Sequence, residues 1–253
     1  MANAAVLAVI PARYGSSRLP AKALREIDGV PMVVRVWRSV RAAATIARVI
    51  VATDDERIAA VVRDAGGEAM LTSEHHPSGT DRVAEVARRV RAPIYVNVQG
   101  DLPFIAPADL EALAAPMLAE RRLMMATLAT PIADDREWGN PNVVKVVCDT
   151  RGNALYFSRA SIPFARAGGR PQPAMRHIGV YAYRRNFLLR FASLPPGILE
   201  RIEMLEQLRA LENGYSIRVA TSVAPSLEVD TAEDLATAEA FARQMLSGET
   251  RRG

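Results

Sequence analysis

Apolar runs of strand length alternate with amphipathic segments of helical length through the first half of this chain. Strands separated by helices of this length pair in parallel through crossover connections. The alternation therefore predicts an α/β fold with a mainly parallel central sheet flanked by helices, whose ligands bind at the carboxyl ends of the strands. The expected strands are residues 5–12, 47–54, 68–72 and 93–101, and the expected helices are residues 31–44, 56–67, 81–90 and 108–122.

The pattern changes after Leu123, where strand-like segments follow one another across short polar turns. We expect these segments to form a largely antiparallel section that continues the sheet and builds one wall of the site. They are residues 124–132, 142–149, 153–163 and 176–185.

Two helices are predicted near the end of the sequence. Residues 199–214 have the periodicity of one amphipathic helix that ends at Gly214. A late strand is expected over residues 216–223, and a terminal helix over residues 231–246 would be capped by Thr231. The apolar face of the first helix would consist of Leu199, Ile202, Leu205, Leu208 and Leu211.

Composition and charge exclude several classes of protein. The 32 Lys and Arg residues are spread among 28 Asp and Glu, with no basic tail, which argues against a nucleic-acid partner. Cys148 is the single cysteine, so no intramolecular disulfide can form, as is usual in a reducing cytoplasm. The first residues lack a basic region, and no apolar run is long enough to cross a bilayer. We therefore expect a cytoplasmic protein without a membrane partner.

A loop of small and basic residues follows the first predicted strand. Its backbone N–H groups, with Arg13, Ser16 and Lys22, are suited to bind phosphate oxygens. The loop has neither the GxGxxG spacing of a dinucleotide site nor the spacing of a P-loop. Taken alone, it is equally compatible with a basic surface loop.

Two acidic positions also follow predicted strands. Asp101, in the string VNVQGDLP with Gln99, is well placed to hold a hard divalent cation, although GD is also common in ordinary turns. Asp230 precedes the terminal helix, where capping explains the neighbouring Thr231 but not Asp230 itself. The two acids could bind Mg²⁺ together, but their spacing does not show that they meet.

Two further groups of polar residues are candidates. Ser78, Gly79 and Thr80 could hydrogen-bond a base or a ribose, or could form a plain loop with Thr80 as a helix N-cap. In the second half lie side chains that could clamp a carboxylate or bind sugar hydroxyls, although each of these residue types, taken alone, is more often structural. These are Arg159, His177, Tyr181, Glu206 and Gln207.

Together these strings resemble the 3-deoxy-manno-octulosonate cytidylyltransferase family, also called CMP-Kdo synthetases. The resemblance runs from about Val9 to Leu235, nearly the whole chain. It is carried by VIPARYGSSRLPAKAL, HPSGTDRVAE, VNVQGDLPFI, NPNVVKVV, YFSRASIP, RHIGVYAYR, LERIEMLEQLRALENG and VDTAEDL. The QGD string and the N-terminal loop are shared more widely among sugar nucleotidyltransferases, whereas YFSRASIP, RHIGVYAYR and LEQLRALENG are specific to the Kdo branch.

The resemblance implies a nucleotide-diphospho-sugar transferase fold, a homodimer, and transfer of CMP from CTP to the anomeric hydroxyl of Kdo for lipopolysaccharide synthesis. It divides the single domain into a CTP-binding half (about 1–123), a sugar-binding and dimerisation section (about 124–225) and a returning segment with a metal ligand (about 226–253).

The resemblance also implies residue roles. The residues implied to bind CTP are Ala12, Arg13, Ser16, Lys22, Ser78, Gly79 and Gln99. Mg²⁺ would be bound by Asp101 and Asp230, which with Arg13 and Lys22 would form the catalytic set. The residues implied to surround the acidic sugar are Arg159, His177, Tyr181, Glu206 and Gln207.

Three residues depart from the family pattern. Leu102 stands where Glu is common, Ala21 where Gly is frequent, and Glu228 where Gly is common. They leave open a modified acceptor such as an amino analogue of Kdo. A cytidylyltransferase for a nonulosonate and a non-catalytic nucleotide-binding module on the same fold also stay compatible with the sequence.

Overall fold

A computed structural model of the protein describes residues 6–15, 19–224 and 227–249. The strands are β1 (Val6–Ala12), β2 (Glu26–Ile27), β3 (Val30–Pro31), β4 (Ile46–Thr53), β5 (Glu68–Leu71), β6 (Ile94–Asn97), β7 (Met125–Pro131), β8 (Lys145–Cys148), β9 (Ala154–Ser158), β10 (Met175–Arg184) and β11 (Ile217–Thr221). The helices are α1 (Met32–Arg41), α2 (Glu56–Asp64), α3 (Gly79–Arg89), α4 (Pro107–Ala119), α5 (Asp135–Gly139), α6 (Arg185–Phe191), α7 (Ile198–Glu203), α8 (Leu208–Glu212) and α9 (Ala232–Glu249).

The central sheet has the strand order β11-β7-β10-β6-β1-β4-β5. The four strands from β6 to β5 are parallel, as is the pair β7 and β11, while β10 runs antiparallel to both β6 and β7. β8 pairs with the first residues of β10 and also with β9. The predicted α/β fold with a mainly parallel sheet and an antiparallel extension is confirmed.

The buried strand β1 shows why the sheet needs helices on both faces. All seven of its residues are buried. Alternate side chains enter different cores: Ala8 and Ile10 join the cluster under α1 and α4, whereas Leu7 and Val9 join the cluster under α3 and α6. A strand that is buried on both faces has apolar side chains at every position, and this is the pattern found in the sequence.

The prediction of a single helix over residues 199–214 is wrong. The segment forms two short helices, α7 and α8, and Met204 between them has a left-handed φ of 54°. The Glu212 carboxylate accepts hydrogen bonds from the amides of Leu199 (2.9 Å) and Glu200 (3.2 Å). A continuous helix would separate Leu199 from Glu212 by about 20 Å, so this contact requires the chain to fold back. Ile202, expected in the core, is 73% exposed.

The terminal helix begins as predicted. The amide of Asp234 donates to the Thr231 hydroxyl (3.2 Å), and the Asp234 carboxylate accepts from the amide of Thr231 (2.8 Å). This reciprocal arrangement is a capping box. Across the described ranges, no helix is both long enough and apolar enough to cross a membrane.

Candidate functional site

A cavity of about 350 Å³ opens where β1 and β6 end and α3 begins. This position is the carboxyl edge of the parallel strands, where the sequence predicted ligand binding. The residues that line the cavity are Pro11, Ala12, Arg13, Lys22, Ala23, His76, Pro77, Ser78, Gly79, Arg82, Gln99, Gly100, Asp101, Glu228 and Asp230.

Three carboxylates meet at one side of this cavity. Asp101, Glu228 and Asp230 each offer an oxygen within 4.8 Å of the others. The backbone sets this convergence, because the amide of Val229 donates to the carbonyl of Asp101 at 2.9 Å. The structure therefore confirms the expectation that the carboxylates of Asp101 and Asp230 lie close together. Glu228, which the sequence marked only as a departure from the family pattern, joins them because residues two apart in an extended segment lie on the same side.

Lys22 bridges two of these acids. Its Nζ lies 2.7 Å from Oδ2 of Asp101 and 3.0 Å from Oδ1 of Asp230. Burial alone would lower the pKa of Lys22, but the two carboxylates outweigh burial and the pKa is raised. Lys22 is therefore a fully charged ammonium that neutralises part of the acidic cluster. Ala21, just before it, has a left-handed φ of 54°, which explains why a glycine suits that position.

The carboxylate cluster has the chemistry of a magnesium site. Mg²⁺ prefers carboxylate oxygens and substrate phosphates as ligands. Oδ1 of Asp101 is buried and has no hydrogen-bond partner among the described residues. A buried acceptor without a partner is costly unless a ligand satisfies it. The residues present thus fit a divalent cation.

The start of α3 forms another part of the cavity wall. Ser78, not Thr80, is the N-cap residue, because its hydroxyl accepts from the amide of Asp81 at 3.1 Å. A Cβ on Gly79 would lie 3.2 Å from Cγ of Pro11 and 3.3 Å from Oε1 of Gln99. Gly79 thus allows β1 and Gln99 to approach the helix closely.

The remaining CTP candidates lie along β1 and the loop after it. Ala12 and Arg13 line the cavity. Ser16 lies outside the described residues. The loop is anchored at Tyr14, whose amide donates to Asp54 (3.3 Å) and whose ring lies 3.5 Å from the Arg57 guanidinium carbon.

A second cavity of about 460 Å³ adjoins the first and shares Gln99 and the three carboxylates with it. Arg159 and His177 line it, as the resemblance leads one to expect. Arg176 also lines it and was missed, since an arginine beside a strand-like run gave no distinctive signal. The other lining residues are Leu102, Asn142, Val143, Val144, Ile178 and Gly179.

His177 is held as a neutral ring at the edge of this cavity. Its Nε2 lies 2.9 Å from the Thr127 hydroxyl, and its ring meets Phe157 edge-on at 5.1 Å. Burial lowers the pKa of His177 to about 3, although part of the residue borders the cavity. At neutral pH this imidazole therefore carries no charge, but it can form a hydrogen bond with a ligand.

The other three sugar candidates are not among the residues that line either cavity. Glu206 accepts from the Thr80 hydroxyl at 2.5 Å, and burial raises the pKa of its carboxyl despite the bonds from Thr80 and Ser78. The Tyr181 hydroxyl donates to Gln207 at 3.1 Å. Nε2 of Gln207 is buried without a partner in the described part of the chain. These residues tie the start of α8 to α3 and β10.

Comparisons with known proteins identify the family to which this chain is similar. Residues 7–218 match the family model described as Cytidylyltransferase. The 3-deoxy-manno-octulosonate cytidylyltransferase of Syntrophotalea carbinolica is 52% identical over 246 residues, which cover 94% of this chain and 98% of the relative. The enzyme of that name from Syntrophobacter fumaroxidans is 52% identical over 234 residues, covering 91% of this chain and 94% of the relative.

A solved structure of CMP:2-keto-3-deoxy-manno-octonic acid synthetase complexed with CTP superimposes with a TM-score of 0.90. It is 44% identical, and the match covers 95% of this chain and 99% of that one. Similarity in sequence and in structure thus extends over nearly the whole chain. The chain belongs to the 3-deoxy-manno-octulosonate cytidylyltransferase family.

Proposed function

We propose that this protein transfers CMP from CTP to the anomeric hydroxyl of 3-deoxy-D-manno-octulosonate, giving CMP-Kdo and pyrophosphate for lipopolysaccharide synthesis. The observation that carries the proposal is the pair of adjoining cavities that share Asp101, Glu228 and Asp230. A transferase must bring two substrates to one reacting centre, and shared carboxylates define such a centre.

The first cavity is the proposed CTP site. Arg13 and Lys22 supply positive charge for the triphosphate, and Ser16 in the adjoining loop offers a neutral hydroxyl as a hydrogen-bond donor. Ser78, Gly79 and Gln99 also line this cavity, and we place the cytidine beside them. Ala12 contributes the end of β1.

The second cavity is the proposed sugar site. The Arg159 and Arg176 guanidinium groups suit the carboxylate of an acidic sugar. Neutral His177 offers a ring nitrogen to a hydroxyl. We propose that Tyr181, Glu206 and Gln207 support this site from the adjoining hydrogen-bonded layer, and that they reach the sugar only if the segment around Met204 moves.

The reaction is an in-line attack of the anomeric oxygen on the α-phosphorus, with pyrophosphate as the leaving group. Positioning and charge neutralisation dominate such chemistry. Magnesium held by Asp101 and Asp230 would neutralise phosphate charge and acidify the attacking hydroxyl. Glu228 adds a third oxygen to the same cluster, and Arg13 and Lys22 stabilise the charge that develops on pyrophosphate.

Pyrophosphate release from CTP, with Kdo as acceptor and Mg²⁺ present, tests this function. Asp101→Asn is expected to lower turnover by at least about 10²–10³-fold while circular dichroism stays unchanged. Asp149→Asn is the matched control, because Asp149 also directly follows a strand, β8, but lines neither cavity, and its carboxylate accepts hydrogen bonds from Arg151 and Asn153 of the turn that follows. Near-normal turnover of Asp101→Asn would refute the metal role.

The acceptor is tested with a panel. Kdo, its 8-amino analogue and a nonulosonate are compared at equal CTP, and Kdo is expected to give the highest kcat/KM. Preference for another acid would correct the substrate. Binding of CTP without turnover of any acceptor would indicate a nucleotide-binding module instead.

We also propose a cytoplasmic homodimer. Ile198, Ile202 and Met204 lie on or beside α7 and are 65%, 73% and 77% exposed. Exposed apolar side chains that cluster on one segment are typical of association surfaces. Ile202→Glu is expected to shift the mass measured by light scattering from dimer to monomer, and an unchanged mass would exclude this surface.

A further inference from the structure

Lys145, at the first position of β8, is a fully buried lysine that is bound by neutral groups. Its Nζ donates to the backbone carbonyl oxygens of Asn140 (2.9 Å), Val143 (2.7 Å) and Arg159 (2.7 Å). An ammonium has three hydrogens to donate. These three carbonyls therefore use its whole hydrogen-bonding capacity.

A buried ammonium is costly, so its surroundings must compensate for lost hydration. The backbone of Lys145 is fixed on both sides, because Lys145 pairs with Ser158 of β9 and with Arg176 of β10. The ammonium therefore extends from this three-stranded framework toward two segments beside it. Those two segments are residues 140–143 and Arg159, which directly follows β9.

Both segments supply wall residues to the second cavity. Asn142, Val143 and Arg159 line it, whereas Lys145 does not. Arg159 is also held by Glu203, which accepts from the Arg159 amide at 2.9 Å through its carboxylate and from Nε at 2.9 Å through its carbonyl. One guanidinium nitrogen of Arg159 donates to the carbonyl of Pro141 at 3.2 Å. The loop and Arg159 are thus joined to each other and to Lys145.

We propose that Lys145 is a positioning residue that holds residues 140–143 and Arg159 in the arrangement that receives the acceptor sugar. The assignment of this cavity to the sugar rests on the proposed function. When a cavity wall is ordered before the ligand binds, no binding free energy is lost in ordering it. Small misplacements of binding groups also lower reaction rates strongly. Lys145 therefore influences the sugar and not the nucleotide, whose cavity it does not approach through these bonds.

The test compares Lys145→Met with a matched control, Arg184→Met. Arg184 also donates to three backbone carbonyls, those of Met117, Glu120 and Leu123, but these lie in the last turn of α4 and the loop after it and line neither cavity. Both variants lose a cation that pins a loop. The measurements are the KM for Kdo, the Kd for CTP by calorimetry, and hydrogen exchange at the amides of Val143 and Arg159.

Lys145→Met is expected to raise the KM for Kdo by about tenfold or more, to leave the Kd for CTP unchanged, and to speed exchange at Val143 and Arg159. Arg184→Met should change none of these. An unchanged KM for Kdo, or a parallel loss for CTP and Kdo in both variants, would overturn the proposal. If Kdo is not a substrate at all, the proposed function fails, whereas the exchange data still decide whether Lys145 orders the wall.

Wild-type protein provides a measurement that needs no variant. The amide of Val143 donates to the carbonyl of Asn140 at 3.1 Å, and the same turn holds the bond from the Asn142 amide to Oδ1 of Asn140 (2.9 Å) and the bond from Arg159 to the Pro141 carbonyl. If Lys145 holds the turn in place, the Val143 amide is protected from exchange in the wild type. Exchange at the rate of an unstructured peptide would refute the proposal. This result decides the matter even if neither Lys145→Met nor the milder Lys145→Gln folds.

Discussion

Replacing Lys22 by methionine should strengthen the binding of a divalent cation in the absence of nucleotide. Nζ of Lys22 occupies the acidic cluster through two charged contacts of 2.7 and 3.0 Å to Asp101 and Asp230. A cation that enters the cluster competes with this ammonium, because both are attracted to the same two carboxylates. Methionine keeps most of the side-chain volume and removes the competitor.

The size of the effect follows from these contacts. Each hydrogen bond to a charged group contributes about 1.5–3 kcal/mol, and the three side chains are 18–25% exposed, so solvent screens the pair in part. A net gain of about 1.4–2.8 kcal/mol in cation binding is therefore expected, which is roughly a 10- to 100-fold lower Kd.

Mn²⁺ binding measured by electron paramagnetic resonance, without CTP and at low ionic strength, provides the assay. Arg13→Met is the control, because it removes a positive charge from the same cavity. An unchanged Kd in Lys22→Met, or an equal gain in Arg13→Met, would refute local displacement and leave only a general electrostatic effect.

Two further substitutions test the site and its surroundings. His177→Gln should lessen the loss of stability at acid pH. The pKa of His177 is about 3 in the folded protein and about 6.5 in the unfolded chain. Between pH 7 and pH 5 only the unfolded chain binds this proton, so the free energy of unfolding of the wild type falls by about 2 kcal/mol. Urea unfolding at both pH values should show a smaller loss in the variant, and equal losses would contradict the assignment. Ala21→Gly should raise the free energy of unfolding by about 0.5–1 kcal/mol, because φ at Ala21 is 54°; a decrease in the urea midpoint would show that the left-handed backbone is not strained there.

The central sheet was predictable because local pattern and global topology agree. The unbroken apolar run of β1 requires cover on both faces, and the amphipathic segments that follow each strand provide it. The approach of Asp230 to Asp101 was not predictable from spacing. It depends on the backbone bond from Val229 to the Asp101 carbonyl, which the fold creates between segments that are distant in sequence.

The break between α7 and α8 shows the limit of periodicity. The apolar spacing of residues 199–214 fits one helix, and nothing in it marks Met204 as a turn. The deciding contact is the return of Glu212 to the amides that begin α7, which is a tertiary interaction. Lys145 could have been noticed, since a lysine in the centre of the run VVKVV interrupts a buried strand, but its three carbonyl partners come from two segments whose approach the sequence does not specify.

Lys22 and Lys145 differ in how readily their contacts can be exchanged, because their hydrogen-bond partners differ. The partners of Lys22 are carboxylates, which bind a divalent cation at least as well as an ammonium, so its contacts can be exchanged when substrate phosphates offer Lys22 new acceptors. The partners of Lys145 are neutral backbone carbonyls, and breaking these bonds would leave the ammonium buried and unpaired. Structural change between free and substrate-bound protein should therefore concentrate around Lys22 and the carboxylates, while the wall formed by Arg159 and residues 140–143 stays in place. Such an arrangement lets the charge at the reacting centre adjust to the triphosphate without disturbing the position of the acceptor.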